Sequence, residues 1–110
     1  MDKLNEFGHT FQIKSIASLM MNQTFLEQIH DILDEKHYDG DSLKWIIKEC
    51  KGYFDEYRKC ITLDAFKVKT QEVENDVLKL SIIENLKEIF RHMESNDLEF
   101  IQDKTLDFFK

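Results

Sequence analysis

Hydrophobic residues recur at helical spacing along nearly the whole chain. Apolar positions three or four residues apart predict a first helix over about 10–21. Thr24 followed by Glu27 has the form of a capping box, which predicts the start of a second helix. A broad apolar stripe over about 42–57 predicts the central core helix, and a short helix is predicted to begin near Thr62. The pattern therefore predicts an all-helical fold.

The longest helical pattern, about 71–93, has apolar residues on two sides. The first side carries Leu78, Ile82, Leu86, Ile89 and Met93, widened by Ile83 and Phe90. The second side, nearly opposite, carries Val73, Val77 and Leu80. Because one small bundle covers only one side of a helix, we expect a second partner. We interpret Val73, Val77, Leu80 and Phe100 as an oligomer interface.

The C-terminal residues predict one more helix, preceded by a short connection. Asn96-Asp97-Leu98-Glu99 resembles a helix cap, and a connection over about 94–96 favours an antiparallel neighbour. We therefore expect a single domain over 1–110, with a small helical head over about 9–70 and an antiparallel helical hairpin over about 71–110. Since the apolar pattern is unresolved at Lys110, we expect the whole protein to continue beyond this residue.

Composition supports one folded domain. The 110 residues are 42% hydrophobic, with no Pro and three Gly, so helix breakers are nearly absent. The formal net charge of -7 opposes phosphate, and we expect no direct nucleic-acid contact. No apolar run has the roughly 18 to 20 residues of a membrane span. Without a secretion signal, Cys50 and Cys60 are expected to be reduced thiols of a cytoplasmic protein.

Candidate chemistry is sparse, and we expect no catalytic, cofactor-binding or metal-binding residue. Three isolated glycines do not form a phosphate-binding loop. His30-Asp31 is similar to the His-Asp pair of metal phosphohydrolases, but further ligands would have to come from other helices. A second interpretation is that four residues of the predicted central helix dock a partner: Trp45, Lys44, Lys48 and Lys51. The alternative is that Trp45 lies at the margin of the core and that the lysines form a solvated face.

The order of these segments resembles the N-terminal domain of DnaB-type replicative DNA helicases, especially the phage form. The residues that carry the resemblance are FQIKSIASLMMNQTFLEQIHDILDEKHYDGDSLKWIIKECKGYFDEY, then ITLDAFK, and finally EFIQDKTLDFFK. The resemblance covers nearly all 110 residues and rests on apolar spacing and element order. The Pro-rich or Gly-rich turns usual in that family are missing here.

The resemblance implies a non-catalytic collar domain. In that family helical hairpins pair between subunits of a hexameric ring, and a primase or a helicase loader docks on it. The resemblance also implies that a linker and an ATPase motor domain follow Lys110. The parent enzyme would hydrolyse ATP with Mg²⁺ in that motor domain, in the host cell cytoplasm if a phage encodes it.

Three alternatives stay open. The first is the helicase-binding domain of a primase, which shares this fold by resemblance. The second is a helical DNA-binding or regulatory module that uses the region from Lys44 to Lys59. The third is a small metal phosphohydrolase that uses His30 and Asp31.

Overall fold

A computed structural model describes residues 4–110, and this part of the chain is helical without strands. The all-helical prediction is confirmed. The described residues form six α-helices and two short 3-10 helices, Leu4–Phe7 and Glu35–His37. The α-helices are α1 (His9–Met21), α2 (Gln23–Ile29), α3 (Gly40–Tyr57), α4 (Leu63–Gln71), α5 (Asp76–Arg91) and α6 (Leu98–Phe109).

Helix α1 lies at the centre of the domain. It packs against α2, α3, α5, α6 and the 3-10 helix Leu4–Phe7. Its buried residues point in several directions and include small polar ones: Gln12, Ile13, Ser15, Ile16, Ala17, Ser18 and Leu19. The sequence predicts α3 as the central helix, because its stripe is the more pronounced. A pronounced stripe marks a helix with one solvent-facing side, whereas an enclosed helix has a weaker pattern.

Helices α5 and α6 do not form the predicted hairpin. Helix α5 packs mainly on α3 and α1, whereas α6 packs on α1 and α2. Polar contacts hold α6 against α1 and against Asn22, the C-cap of α1. Lys14 Nζ lies 2.9 Å from Asp97 Oδ2, and Asn22 Nδ2 donates to Gln102 Oε1 at 3.1 Å. Each helix thus buries its apolar face against the head, and the division into head and hairpin is not seen.

Two helix starts show which cap predictions hold. Thr62 Oγ1 accepts a hydrogen bond from Ala65 N at 3.1 Å, as expected of an N-cap. The capping box at Thr24 is wrong, since Thr24 lies exposed inside α2. Asn22 Oδ1 accepts from Phe25 N at 3.0 Å and caps α2 instead. Because Asn22 precedes Thr24 in the chain, its amide side chain caps the helix before the threonine could do so.

The predicted helix over 71–93 is shorter than expected. Helix α4 continues to Gln71, and α5 begins at Asp76, where Asn75 Oδ1 accepts from Leu78 N at 2.9 Å. Val73 therefore lies in the connection between two helices. The apolar repeat crosses this connection without a break, which is why periodicity alone joins the segments.

Candidate interaction surfaces

The outer face of α5 carries two of the predicted interface residues. Val77 is 79% exposed and Leu80 is 65% exposed. The opposite side of α5 is buried through Ile82, Leu86 and Ile89. Since residues three apart on a helix are neighbours, Val77 and Leu80 form one apolar patch. We call this pair the α5 outer patch.

The other two predicted interface residues lie elsewhere. Val73 is half-buried and packs against the domain's own core, so the structure does not present it as a free contact. Phe100 is 58% exposed on α6, with Lys104 Nζ 5.9 Å from its ring centroid. Because α6 packs on α1 and α2, Phe100 does not extend the α5 outer patch through a helical hairpin. The four residues do not form one continuous surface.

The predicted docking group is largely used within the domain. Trp45 is half-buried, with its ring centroid 6.3 Å from that of Phe66. Lys44 Nζ donates to the backbone oxygen of Tyr38 at 2.7 Å. Lys51 Nζ likewise donates to the backbone oxygen of Leu33 at 2.6 Å. Leu33 lies in the segment that precedes α3.

The two lysine contacts hold the 33–38 segment against α3. Lys48, between them in sequence, is exposed. It is therefore the only lysine of the predicted docking trio that the described part of the structure leaves on the surface.

Helices α4 and α5 enclose an apolar groove that the sequence does not reveal as a site. The groove has a volume of about 300 Å³. Its apolar lining comes from Leu63 of α4 and from Ile83, Leu86 and Phe90 of α5, and Lys67 and Lys87 also line it. The sequence signal is the widening of the buried face of α5 by Ile83 and Phe90. That signal locates only one wall, because the other wall depends on how α4 packs.

The His30 side chain lies between α2 and α3, whereas the Asp31 side chain is 97% exposed. His30 Nδ1 is 3.2 Å from Asp31 Oδ1, and His30 Nε2 is 2.8 Å from Asp55 Oδ1. The imidazole also packs on Phe54, with ring centroids 4.9 Å apart. Across residues 4–110, no group of three or more His, Cys, Asp or Glu side chains is arranged to hold a metal ion. His30 Nε2 makes no hydrogen bond with any described residue despite this proximity, and the imidazole contacts α3 through Asp55 and Phe54.

The two thiols differ in burial. Cys50 is 1% exposed in the core, and burial raises the pKa of its thiol well above the ordinary value. Cys60 is half-buried, and burial also raises the pKa of its thiol. Both shifts oppose formation of the nucleophilic thiolate. Cys50 is part of the hydrophobic core.

Comparison adds no assignment to these surfaces. None of the helices described between residues 4 and 110 combines the length and the apolar character that crossing a bilayer requires. No protein-family model, curated protein or solved structure matches the chain.

Proposed function

We propose that this chain is a non-catalytic assembly and partner-docking domain of a DnaB-type replicative DNA helicase. In this proposal it contributes to the N-terminal collar of a hexameric ring, on which a primase or a helicase loader docks. The proposal draws on the resemblance in element order and on the all-helical fold. ATP and Mg²⁺ would act in the motor domain of the parent protein, in the cytoplasm.

The α5 outer patch is the observation that carries the proposal. A buried Val or Leu contributes about 1.5 to 3 kcal/mol relative to an exposed one. Weighted by the exposed fractions of Val77 and Leu80, a two-fold contact between two patches would gain roughly 4 to 9 kcal/mol. Association costs an estimated 4 kcal/mol or more, so the isolated domain should self-associate weakly.

Tethering would strengthen such a contact. A linked partner reaches an effective concentration of about 1 mM, and this raises the fraction of copies in which a weak contact is formed. A motor domain that holds six copies together would supply this condition. The size of the patch is therefore suited to assembly within a larger protein.

Solution mass tests the self-association. Sedimentation equilibrium between about 10 μM and 1 mM should give a wild-type mass that rises above the 13.2 kDa of one chain. Val77→Asp should return the mass to that of a monomer, since a charge would be placed in the contact. Val68→Asp is the matched control, because Val68 is a similarly exposed valine of α4, at 62%.

A mass of 13.2 kDa for the wild type at every concentration would remove the physical support for assembly through α5. The gene tests the parent separately. A P-loop ATPase encoded after Lys110 would support the helicase, whereas a primase catalytic domain encoded before Met1 would favour the helicase-binding alternative.

The DNA-binding alternative has less support. Two lysines of the region it would use, Lys44 and Lys51, are hydrogen-bonded to backbone oxygens. The net charge of -7 also repels a duplex. A duplex titration with a steep salt dependence would favour that alternative over the collar.

A further inference from the structure

We propose that the groove between α4 and α5 binds an acidic amphipathic helix of a partner protein. The inference rests on the partner-docking part of the proposed function and names the chemistry of the partner. It does not use the α5 outer patch, so docking and self-association can succeed or fail separately.

Apolar side chains line both walls of the groove. Leu63 lies on one wall, and Ile83, Leu86 and Phe90 follow one another along the other. A bound helix inserts apolar residues at positions i, i+3 or i+4, and i+7 into such a groove. Phe90 is 58% exposed beside the groove. A helix laid in the groove would cover it.

The charges of the groove select an acidic partner. Lys67 lines it from α4 and Lys87 from α5, so each wall carries one basic residue. Both are exposed, and neither forms an ion pair with a carboxylate among residues 4–110. By contrast, Lys69 on another side of α4 lies 3.5 Å from Glu49 and is already paired. Carboxylates on both flanks of a bound helix would form ion pairs with these two lysines.

The rest of the domain disfavours other ligands. The formal net charge is -7, so every anionic ligand, an acidic helix included, is repelled at long range. Phosphate backbones have no apolar side chains that could enter the groove and offset this repulsion. A short helix requires only local attraction, because its apolar residues enter the groove between the two lysines. The combination of an apolar lining and two basic walls therefore fits an acidic amphipathic helix.

The test uses a fluorescein-labelled synthetic helix of roughly 18 residues, with leucines at i, i+3, i+4 and i+7 and glutamates on both flanks. A second peptide has lysines in place of the glutamates. Fluorescence anisotropy at low salt should show that the wild type binds the acidic peptide at least about tenfold more tightly than the basic one. Phe90→Asp should weaken binding by about tenfold or more.

Charge variants locate the site. The double variant Lys67→Gln with Lys87→Gln should weaken acidic-peptide binding by at least about fivefold, and added salt should reduce the difference. The double variant Lys36→Gln with Lys110→Gln removes the same charge from exposed positions outside the groove and should bind as the wild type does.

Three results would overturn the inference. The first is equal binding of the two peptides, or no binding up to about 1 mM. The second is equal loss in the two double variants, which would indicate general electrostatic attraction. The third is a wild-type oligomer that Phe90→Asp dissociates and Val77→Asp does not, which would assign the groove to a second copy of this chain.

Failure of the proposed function gives a different pattern. A monomeric wild type that still binds the acidic peptide through Phe90 would retain the docking groove and reject assembly through α5. A wild type that self-associates but does not bind the peptide would retain assembly through α5 and reject the docking groove.

Discussion

The contact of Lys51 with the backbone of Leu33 makes a quantitative prediction for Lys51→Met. Methionine retains most of the apolar stem, so the change removes the ammonium group and little of the packing. A hydrogen bond that involves a charged group contributes about 1.5 to 3 kcal/mol. Because Lys51 is half-buried, and water can replace part of the lost bond, we expect a loss of about 1 to 2 kcal/mol of unfolding free energy.

Urea unfolding, followed by Trp45 fluorescence and by far-ultraviolet circular dichroism, measures this loss. The midpoint should fall while the slope stays unchanged, since the variant exposes the same surface on unfolding. For a domain of this size the Tm should fall by roughly 4 to 8 °C for each kcal/mol. Lys48→Met is the matched control and should stay within about 0.5 kcal/mol of the wild type, because Lys48 is exposed.

The reasoning is refuted if Lys51→Met and Lys48→Met unfold at the same urea concentration. Lys51 would then contribute no more than a solvated lysine, and it would be available to a docking partner. The experiment thus separates a structural role from the docking role that the charge pattern predicts.

Three more measurements test other contacts. Tyr38→Phe should lower the free energy of unfolding in urea by about 1 to 2 kcal/mol, because the buried Ser15 hydroxyl lies 2.7 Å from the lost Tyr38 hydroxyl. Adding Ser15→Ala should restore part of this loss. Purely additive effects in the double variant would contradict the pairing. The Asp97 pKa is lowered, mainly by the hydrogen bond from Lys14, so the pair stabilises the fold above the ordinary carboxyl pKa of about 4 and loses this effect as pH falls through the lower folded value. Asp97→Asn should therefore lower the Tm at neutral pH and converge with the wild type in acid; a constant difference across the pH series would count against the ion pair. The Cys50 thiol, with its pKa raised by burial, should react with a disulfide reagent only after unfolding, and equal labelling rates in native and unfolded protein would show that the site is open.

Local patterns in the sequence predict the helices and the buried side of α5. Ile82, Leu86 and Ile89 recur at helical spacing, and all three are buried. The exposure of Val77 and Leu80 follows from the same geometry, because they lie opposite that side. Helical periodicity reports which residues share a face, so these features needed no knowledge of the tertiary packing.

Features that depend on packing between distant segments could not be predicted in this way. Periodicity does not show which helix is enclosed, and α1 has a weak stripe because neighbours surround it. The lysine stripe of α3 looks like a solvated face, although Lys44 and Lys51 reach backbone oxygens of the preceding segment. The groove likewise requires both α4 and α5. In each case the deciding partner lies on another segment, and its position depends on how the two segments pack in three dimensions.

The enclosure of α1 has a consequence for hydrogen exchange. Its amide protons reach solvent deuterium only when the surrounding helices separate, so their exchange should report opening of the entire domain. Amides near the ends of α4 and α5 should exchange through smaller fluctuations. A ligand in the groove or a neighbour on α5 would slow those local fluctuations directly, whereas any added protection of α1 would measure the gain in global stability.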